Sequence, residues 1–228
     1  MALTNLGAPL RLGGATGVGN AKGSLGALTS PIYVYQITPT TASTTTIAQA
    51  QGKSSAGNLT LNGSLVSGGV ATIDVARNVQ IVSTSAVDST LTATVTGGDV
   101  YGVTTVETIT FSGTTASQGK KAFKTVTNIA VSGSTAGTVA AGPGDIFGVP
   151  YYFSQTSSLQ AFWDATWNSG SGTTTVGSTS TATATTGDVR GTYKPASASD
   201  GTRKLGLWIY ISDPDTNTGL YGVTQYGG

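Results

Sequence analysis

The sequence predicts an all-β protein: an antiparallel β-sandwich or jelly-roll-like body behind an extended N-terminal arm. Three observations predict it. β-Branched and aromatic residues recur in short runs with a period of two, the spacing that puts alternate side chains on one face of a strand. Glycine fills 33 of 228 positions and clusters between those runs, where tight hairpin turns need residues tolerant of positive φ. Only 9% of residues are charged, against ~25% in an average soluble domain, and Ser and Thr fill roughly 28% of positions instead. A net charge of +1 and a hydrophobic fraction of 38% set the chain apart from disordered sequences, which combine high net charge with low hydrophobicity.

Residues 1–30 lack strand alternation. The glycines at 13, 14, 17, 19, 23 and 26 would cost a helix too much entropy, so this segment reads as an irregular arm ordered by a partner. The body runs from 31 to 228. It opens with Ile32-Tyr33-Val34-Tyr35-Gln36-Ile37, a β-branched and aromatic strand ending before Pro39. Further strands are expected at 58–66, 70–75, 78–84, 89–96 and 104–111. Thr90 to Thr96 alternates strictly, and Gly97-Gly98-Asp99 supplies a turn before the next alternating run. Phe123, Val126, Ile129 and Val131 mark a strand over 123–131. Gly142-Pro143-Gly144 makes 142–150 a turn-rich joint that could subdivide the body. Residues 158–167 fit a short helix or a strand, and 168–186, almost pure Ser, Thr, Gly and Ala, reads as a loop or a loose hairpin. Leu205 to Ile211 is the strongest core strand, followed by a turn at Asp213-Pro214-Asp215.

Composition excludes several chemistries. With no histidine there is no imidazole base and no Ser-His-Asp system. With no cysteine there is no disulfide framework, thiolate nucleophile or zinc finger. The near-neutral balance lacks the basic stripe of a nucleic-acid binder, so no nucleic-acid partner is expected. No apolar run reaches the ~18 residues of a spanning helix, so no membrane partner is expected either. Met1 to Gly7 does not read as a secretory signal.

The remaining motifs are near misses. Gly17-Val18-Gly19-Asn20-Ala21-Lys22 has lysine where a dinucleotide loop needs its third glycine, and Gly113 to Lys121 is one residue too long for a phosphate loop. Asp213 to Gly219 offers oxygens at alternate positions, but Thr224 stands where a calcium loop needs glutamate. Glu107, the single glutamate, shares a strand face with Thr105 and Ile109, and glycosidase chemistry would need a second carboxylate opposite it. Asp99, Asp145, Asp188 and Asp200 read as turn residues. Asn58-Leu59-Thr60 and Asn62-Gly63-Ser64 match the glycosylation pattern at the frequency chance gives in so hydroxyl-rich a chain. Lys120, Lys121 and Lys124 either face an acidic partner or guard an edge strand, with Lys120 and Lys124 on one face. No catalytic, metal or cofactor residue emerges.

In order, Arg77-Asn78-Val79, Gly97-Gly98-Asp99-Val100-Tyr101-Gly102, Lys120-Lys121-Ala122-Phe123, Gly144-Asp145-Ile146-Phe147-Gly148-Val149-Pro150-Tyr151, Asp188-Val189-Arg190-Gly191-Thr192-Tyr193 and Gly219-Leu220-Tyr221-Gly222 resemble segments of tailed-bacteriophage capsid decoration (cement) proteins. The likeness covers roughly residues 75–228. It implies a non-enzymatic β protein without cofactor. It also implies a homotrimer on the virion exterior that braces major capsid protein subunits. On that reading the arm, with Leu3, Leu6, Leu10 and Leu12, lies across a capsid protein. Tyr151, Tyr152, Phe153, Trp163, Trp167 and Trp208 are then expected at interfaces. A tail or fibre component, or a host-glycan-binding β module, is the alternative. A carboxylate-dependent glycosidase is the third reading.

Overall fold

The computed structural model describes residues 32–164, 166–167, 172–178 and 183–210. The strands are β1 (Ile32–Ile37), β2 (Ala48–Gln51), β3 (Gly57–Asn58), β4 (Val66–Ser67), β5 (Val70–Ser83), β6 (Thr92–Gly98), β7 (Thr104–Thr110) and β8 (Ser117–Gln118). They continue as β9 (Phe123–Val131), β10 (Val139–Gly148), β11 (Leu159–Trp163), β12 (Thr166–Trp167), β13 (Thr173–Val176), β14 (Gly191–Lys194) and β15 (Leu205–Tyr210). The described helical segments are single 3-10 turns at Ala86–Thr90 and Thr156–Ser158. The body is an all-β sandwich, as the periodicity predicts.

Its larger sheet runs β13-β14-β10-β5-β9-β6-β7, with β2, β3, β4 and β8 adding short pairs at its margins. The smaller sheet runs β1-β15-β11-β12. Pairing is antiparallel throughout the described strands.

β5 is the hub. It merges the two strands expected at 70–75 and 78–84 into one of 14 residues. Its first half alternates between core and solvent; from Ala76 to Ile81 every side chain is buried. The change comes where the loop at 38–43 is laid against the strand, with Arg77 donating to Thr40 and Gln80 to Ser43. Early in β5 the lateral partners are β4 and β9, while further on they are β10 and β8.

The joint expected at 142–150 is instead the second half of β10 and its exit. Gly142 and Gly144 act here as close-approach residues. A Cβ would stand 2.1 Å from the Ser43 carbonyl oxygen at Gly142, and 2.4 Å from Asn78 Oδ1 at Gly144. Pro143 has no N–H to give, but its carbonyl accepts from Ser43 N at 3.0 Å and from Gln80 Nε2 at 3.1 Å. The register against β5 shifts between Pro143 and Phe147, and there Asn78 Oδ1 takes the Ile146 N–H at 3.0 Å in place of the ladder.

Other boundaries moved for similar reasons. The strand expected at 58–66 survives only at its ends. Leu59 donates to Ile129, but Gly63 and Leu65 donate to Ile47 and Thr46, so this stretch crosses between two neighbours. The strand expected from 89 begins at Thr92, because Ala86–Thr90 forms a 3-10 turn. Asp88 within it accepts Ala136 N–H at 2.8 Å and Gly137 N–H at 3.1 Å, and takes the Ser83 hydroxyl. Gly97 and Gly98 belong to β6; the turn itself is Asp99–Gly102, with Gly102 at φ 78°. Residues 159–163 are strand, not helix.

Two apolar clusters fill the body. The first gathers Ile47, Ile73, Val79, Ile81, Val95, Ile109, Phe123, Val126, Ile129 and Val139. The second gathers Tyr35, Phe147, Val149, Tyr151, Phe153, Leu159, Trp163, Tyr193, Leu205, Leu207 and Ile209. β10 is continuous from one to the other, with Val139 and Ala141 in the first and Phe147 in the second. Each fully buried aliphatic or phenyl side chain contributes about 1.5–3 kcal/mol relative to exposure.

Close packing makes a sharp prediction. A Cβ at Gly97 would lie 1.9 Å from the Thr125 carbonyl oxygen, whereas at Gly52 it would meet nothing within 4 Å. Gly97→Ala is expected to lose about 3 kcal/mol in urea unfolding, and Gly52→Ala less than about 0.5 kcal/mol. Equal midpoints for the two variants would contradict this packing.

Candidate functional site

Most charged residues of the resemblance motifs, Lys120 excepted, are held inside the body. Arg190, on the approach to β14, pairs with Asp99 at 2.6 Å, and both side chains are 2% exposed. Asp99 sits at the β6–β7 turn, where its other oxygen accepts Tyr101 N–H at 2.8 Å and Val103 N–H at 2.9 Å. The Arg190 guanidinium also lies 4.7 Å from the centre of the Tyr101 ring, and the Tyr101 hydroxyl donates to the Pro150 carbonyl at 2.7 Å. One turn, one loop and the exit of β10 are thereby tied together.

A second group lies alongside. Glu107 on β7 accepts the Lys120 and Lys121 backbone N–H groups, the latter at 3.1 Å. Asp188 accepts Ala122 N–H at 3.0 Å and Arg190 N–H at 2.9 Å. The buried Lys121 ammonium donates to the Gly187 carbonyl at 3.2 Å. Burial pushes the Glu107 carboxyl up to about 7, against the pull of its two backbone donors and Lys121, and Asp188 adds to the rise. Burial likewise lowers the Lys121 ammonium, while Asp188 and Glu107 oppose that shift.

The third group centres on Arg77 of β5, which is fully buried. Its guanidinium donates to the Thr40 carbonyl at 2.8 Å and hydroxyl at 2.9 Å, and stands 3.2 Å from Asp74 and 3.9 Å from Asp145. Its carbon lies 5.9 Å from the Phe147 ring centre. Ser199 Oγ lies 2.6 Å from Asp145 Oδ1, 2.9 Å from the Thr40 carbonyl and 3.1 Å from Ala42 N. The loops at 38–43 and 195–200 are thus fastened to the centre of the sheet.

These charges are committed to internal partners. An open depression of about 370 Å³, lined by Thr45, Thr46, Gln49, Ala50 and Ser64, contains no ionisable side chain. Glu107 does not border it. Among the described residues, no group of three Asp or Glu side chains could hold a metal ion. The Asp213–Gly219 motif, the glycine loop at 17–22 and Leu3, Leu6, Leu10 and Leu12 lie outside the described residues.

The three lysines separate. Lys120 is exposed, Lys121 is buried, and the Lys124 ammonium donates to the Ile73 carbonyl at 2.7 Å and the Asp74 carbonyl at 2.8 Å. They form no common basic face, because Lys120 and Lys121 sit in a bend ahead of β9 rather than within a strand. Tyr151, Phe153 and Trp163 are buried in the second cluster, with Trp163 Nε1 donating to Ser197 Oγ at 2.9 Å. Tyr152 is half-buried, and Trp167 supplies its backbone to β12.

Trp208 behaves differently. Alternation in β15 turns Leu205, Leu207 and Ile209 inward and leaves Trp208 and Tyr210 each 43% exposed. Val34 of β1 lies directly opposite Trp208 and is 41% exposed; Gln160 of β11 flanks Trp208 on the other side. With exposed Gln36 and half-buried Phe162, they form an outward face that carries aromatic, aliphatic and amide groups and no charge. Sequence reasoning singled out Trp208 but missed the face, since cross-strand neighbours come from register. It read Asp99, Asp145 and Asp188 as turn residues, which holds for Asp99 at the β6–β7 turn, but missed their distant partners Arg190, Arg77 and Ala122. The available signal was arginine within a β-branched run, Val75-Ala76-Arg77-Asn78-Val79, in a chain with few charges.

Comparison with protein-family models, curated proteins and solved structures returns no match to this chain. No described helix is long and apolar enough to cross a membrane.

Two outcomes follow from the buried charges. Asp99→Ala is expected to cost about 3 kcal/mol or more, because Arg190 loses its carboxylate inside the body. Chemical denaturation checks it, and a change below about 0.5 kcal/mol would refute it. Glu107 gives a pH signature. Its folded value of about 7 lies above the ordinary 4.5, so across that window the folded chain keeps a proton that the unfolded chain releases. The Glu107 contribution to stability is therefore greatest below 4.5 and is lost as pH rises through about 7. Glu107→Gln removes that slope while leaving an amide NH2 against a backbone donor. The variant should be less stable than the parent at about pH 5, with the gap narrowing by about pH 8 in thermal melts.

Proposed function

We propose that this chain is a structural virion protein that binds the outer surface of a bacteriophage head shell. It would stabilise the shell by bridging major capsid protein subunits. The observation that carries the reading is the uncharged outward face of the β1-β15-β11-β12 sheet, with Val34, Trp208 and Tyr210 exposed on it. The order of the resemblance motifs supports it, as does the commitment of most of their charges to internal bracing. Such a face binds by removing apolar area from water, and several weak contacts made at once give a durable attachment. Self-association, a homotrimer in the resembling proteins, would multiply those contacts.

The same face favours one other reading. Trp208 and Tyr210 beside Gln36 and Gln160 combine ring faces with amides, the chemistry that stacks on and hydrogen-bonds to sugars. A host-glycan-binding module on a tail or fibre is therefore the second reading.

Shells prepared without the protein provide the test. Added protein should bind them and delay their thermal disruption. Trp208→Ala should bind about tenfold or more weakly while still unfolding cooperatively, because the indole is 43% exposed on the face. Failure of the parent protein to bind shells, together with glycan-array hits lost in Trp208→Ala, would replace the first reading with the second.

A further inference from the structure

We infer that β1 is a self-pairing edge, through which two copies of this chain join their small sheets into one continuous sheet. β1 pairs with β15 on one side, and among the described residues no strand lies along its other side. Within the described residues that leaves a row of backbone N–H and C=O groups open to pairing with another extended chain.

The other sheet margins are protected. β7 carries Glu107, and its Thr108 N–H donates to the Ala184 carbonyl at 2.7 Å. β12 has two residues among those described. β13 has four, Thr173–Val176, three of them threonine, and the chain beyond it is bound by Gly177 N–H to Phe153 and Ser178 N–H to Asp188. β1 has six residues, Ile-Tyr-Val-Tyr-Gln-Ile, with no lysine, no carboxylate, no proline and no glycine. Edges kept apart from one another normally carry a charge or a proline.

The occupant is a second copy of β1 because the strand suits itself. A two-fold contact places each residue against the same short strand running the other way. Like charges opposite one another would destabilise that pairing, and β1 has none. Its composition of Ile, Tyr and Val favours cross-strand packing. The outward side chains, Val34 and Gln36, would lie close to the axis, and the uncharged faces of the two sheets would become one surface twice as wide. This contact is two-fold, unlike the three-fold assembly the resemblance implies, and it does not depend on shell binding.

The absence of cysteine makes the test clean. The full chain is examined by light scattering, and Val34→Cys, Gln36→Cys and Val87→Cys are oxidised separately. Val87 is 73% exposed on the 3-10 turn at Ala86–Thr90, away from β1, and serves as the control. A dimer mass is expected, with rapid disulfide dimers from Val34→Cys or Gln36→Cys and none from Val87→Cys. The double variant Val34→Lys with Gln36→Lys should weaken association about tenfold or more. Should that variant fail to fold, hydrogen exchange of the parent gives the same answer, with β1 amides more protected at high protein concentration. A monomer, a trimer whose β1 amides exchange freely, or equal cross-linking at Val87 would overturn the inference.

Discussion

A guanidinium inside a β-body is tolerated only when carboxylates and carbonyls surround it, since an unpaired buried charge costs several kcal/mol. This chain buries Arg77 and Arg190 and surrounds both. Arg77 stands on the hub strand β5 and gathers Thr40, Asp74 and Asp145, with Ser199 bridging Asp145 to Thr40. Arg190 gathers Asp99 and Tyr101, and through Tyr101 reaches the end of β10. Segments far apart in sequence are brought together at these two points: 40 with 77, 145 and 199; 99 with 190 and 150. The apolar clusters supply most of the stabilisation, but apolar contact is non-directional. The arginines add direction, because a mispaired loop would leave a charge without its partner.

That arrangement divides the chemistry of the molecule. Many of the few charged side chains face inward and act as braces, most clearly Asp88, Asp99, Asp188, Glu107 and Lys121. Each carboxylate among them accepts backbone N–H groups, so each also holds a turn or loop in shape. Among the described residues, the surface carries hydroxyls, amides, a small set of exposed apolar groups and scattered charges such as Asp74, Lys120, Lys194 and Lys204. A protein whose task is to cover and hold another surface has use for such an exterior. It makes no demand for an accessible acid, base or nucleophile, which accords with a chain lacking histidine and cysteine.

Much of the body was legible in the sequence. Strand β9 falls where Phe123, Val126, Ile129 and Val131 placed it, and β7 and β15 lie within a residue of expectation. β9 and β15 bury chiefly one face, the condition that gives a period-two pattern, although β7 buries Thr105, Val106 and Glu107 together. Legibility failed where that pattern failed. β5 is buried on both faces from Ala76 onward, so it showed no alternation there and looked like two strands. Gly142-Pro143-Gly144 looked like a turn because composition cannot separate a glycine that bends the chain from one that lets a neighbour approach. The lysine trio looked like one patch because nothing local signals that Lys121 turns inward.

The amino-acid sequence by itself determined the fold class, most strand positions and the excluded chemistries. Each follows from local pattern or from residues simply present or absent. Only the tertiary structure decided which polar groups are braces and which apolar groups remain outside. Asp99 meets Arg190 across 91 positions, and Val34 meets Trp208 across a register that no local rule contains. Burial and partnership are properties of pairs distant in the chain, and the folded backbone alone sets those distances.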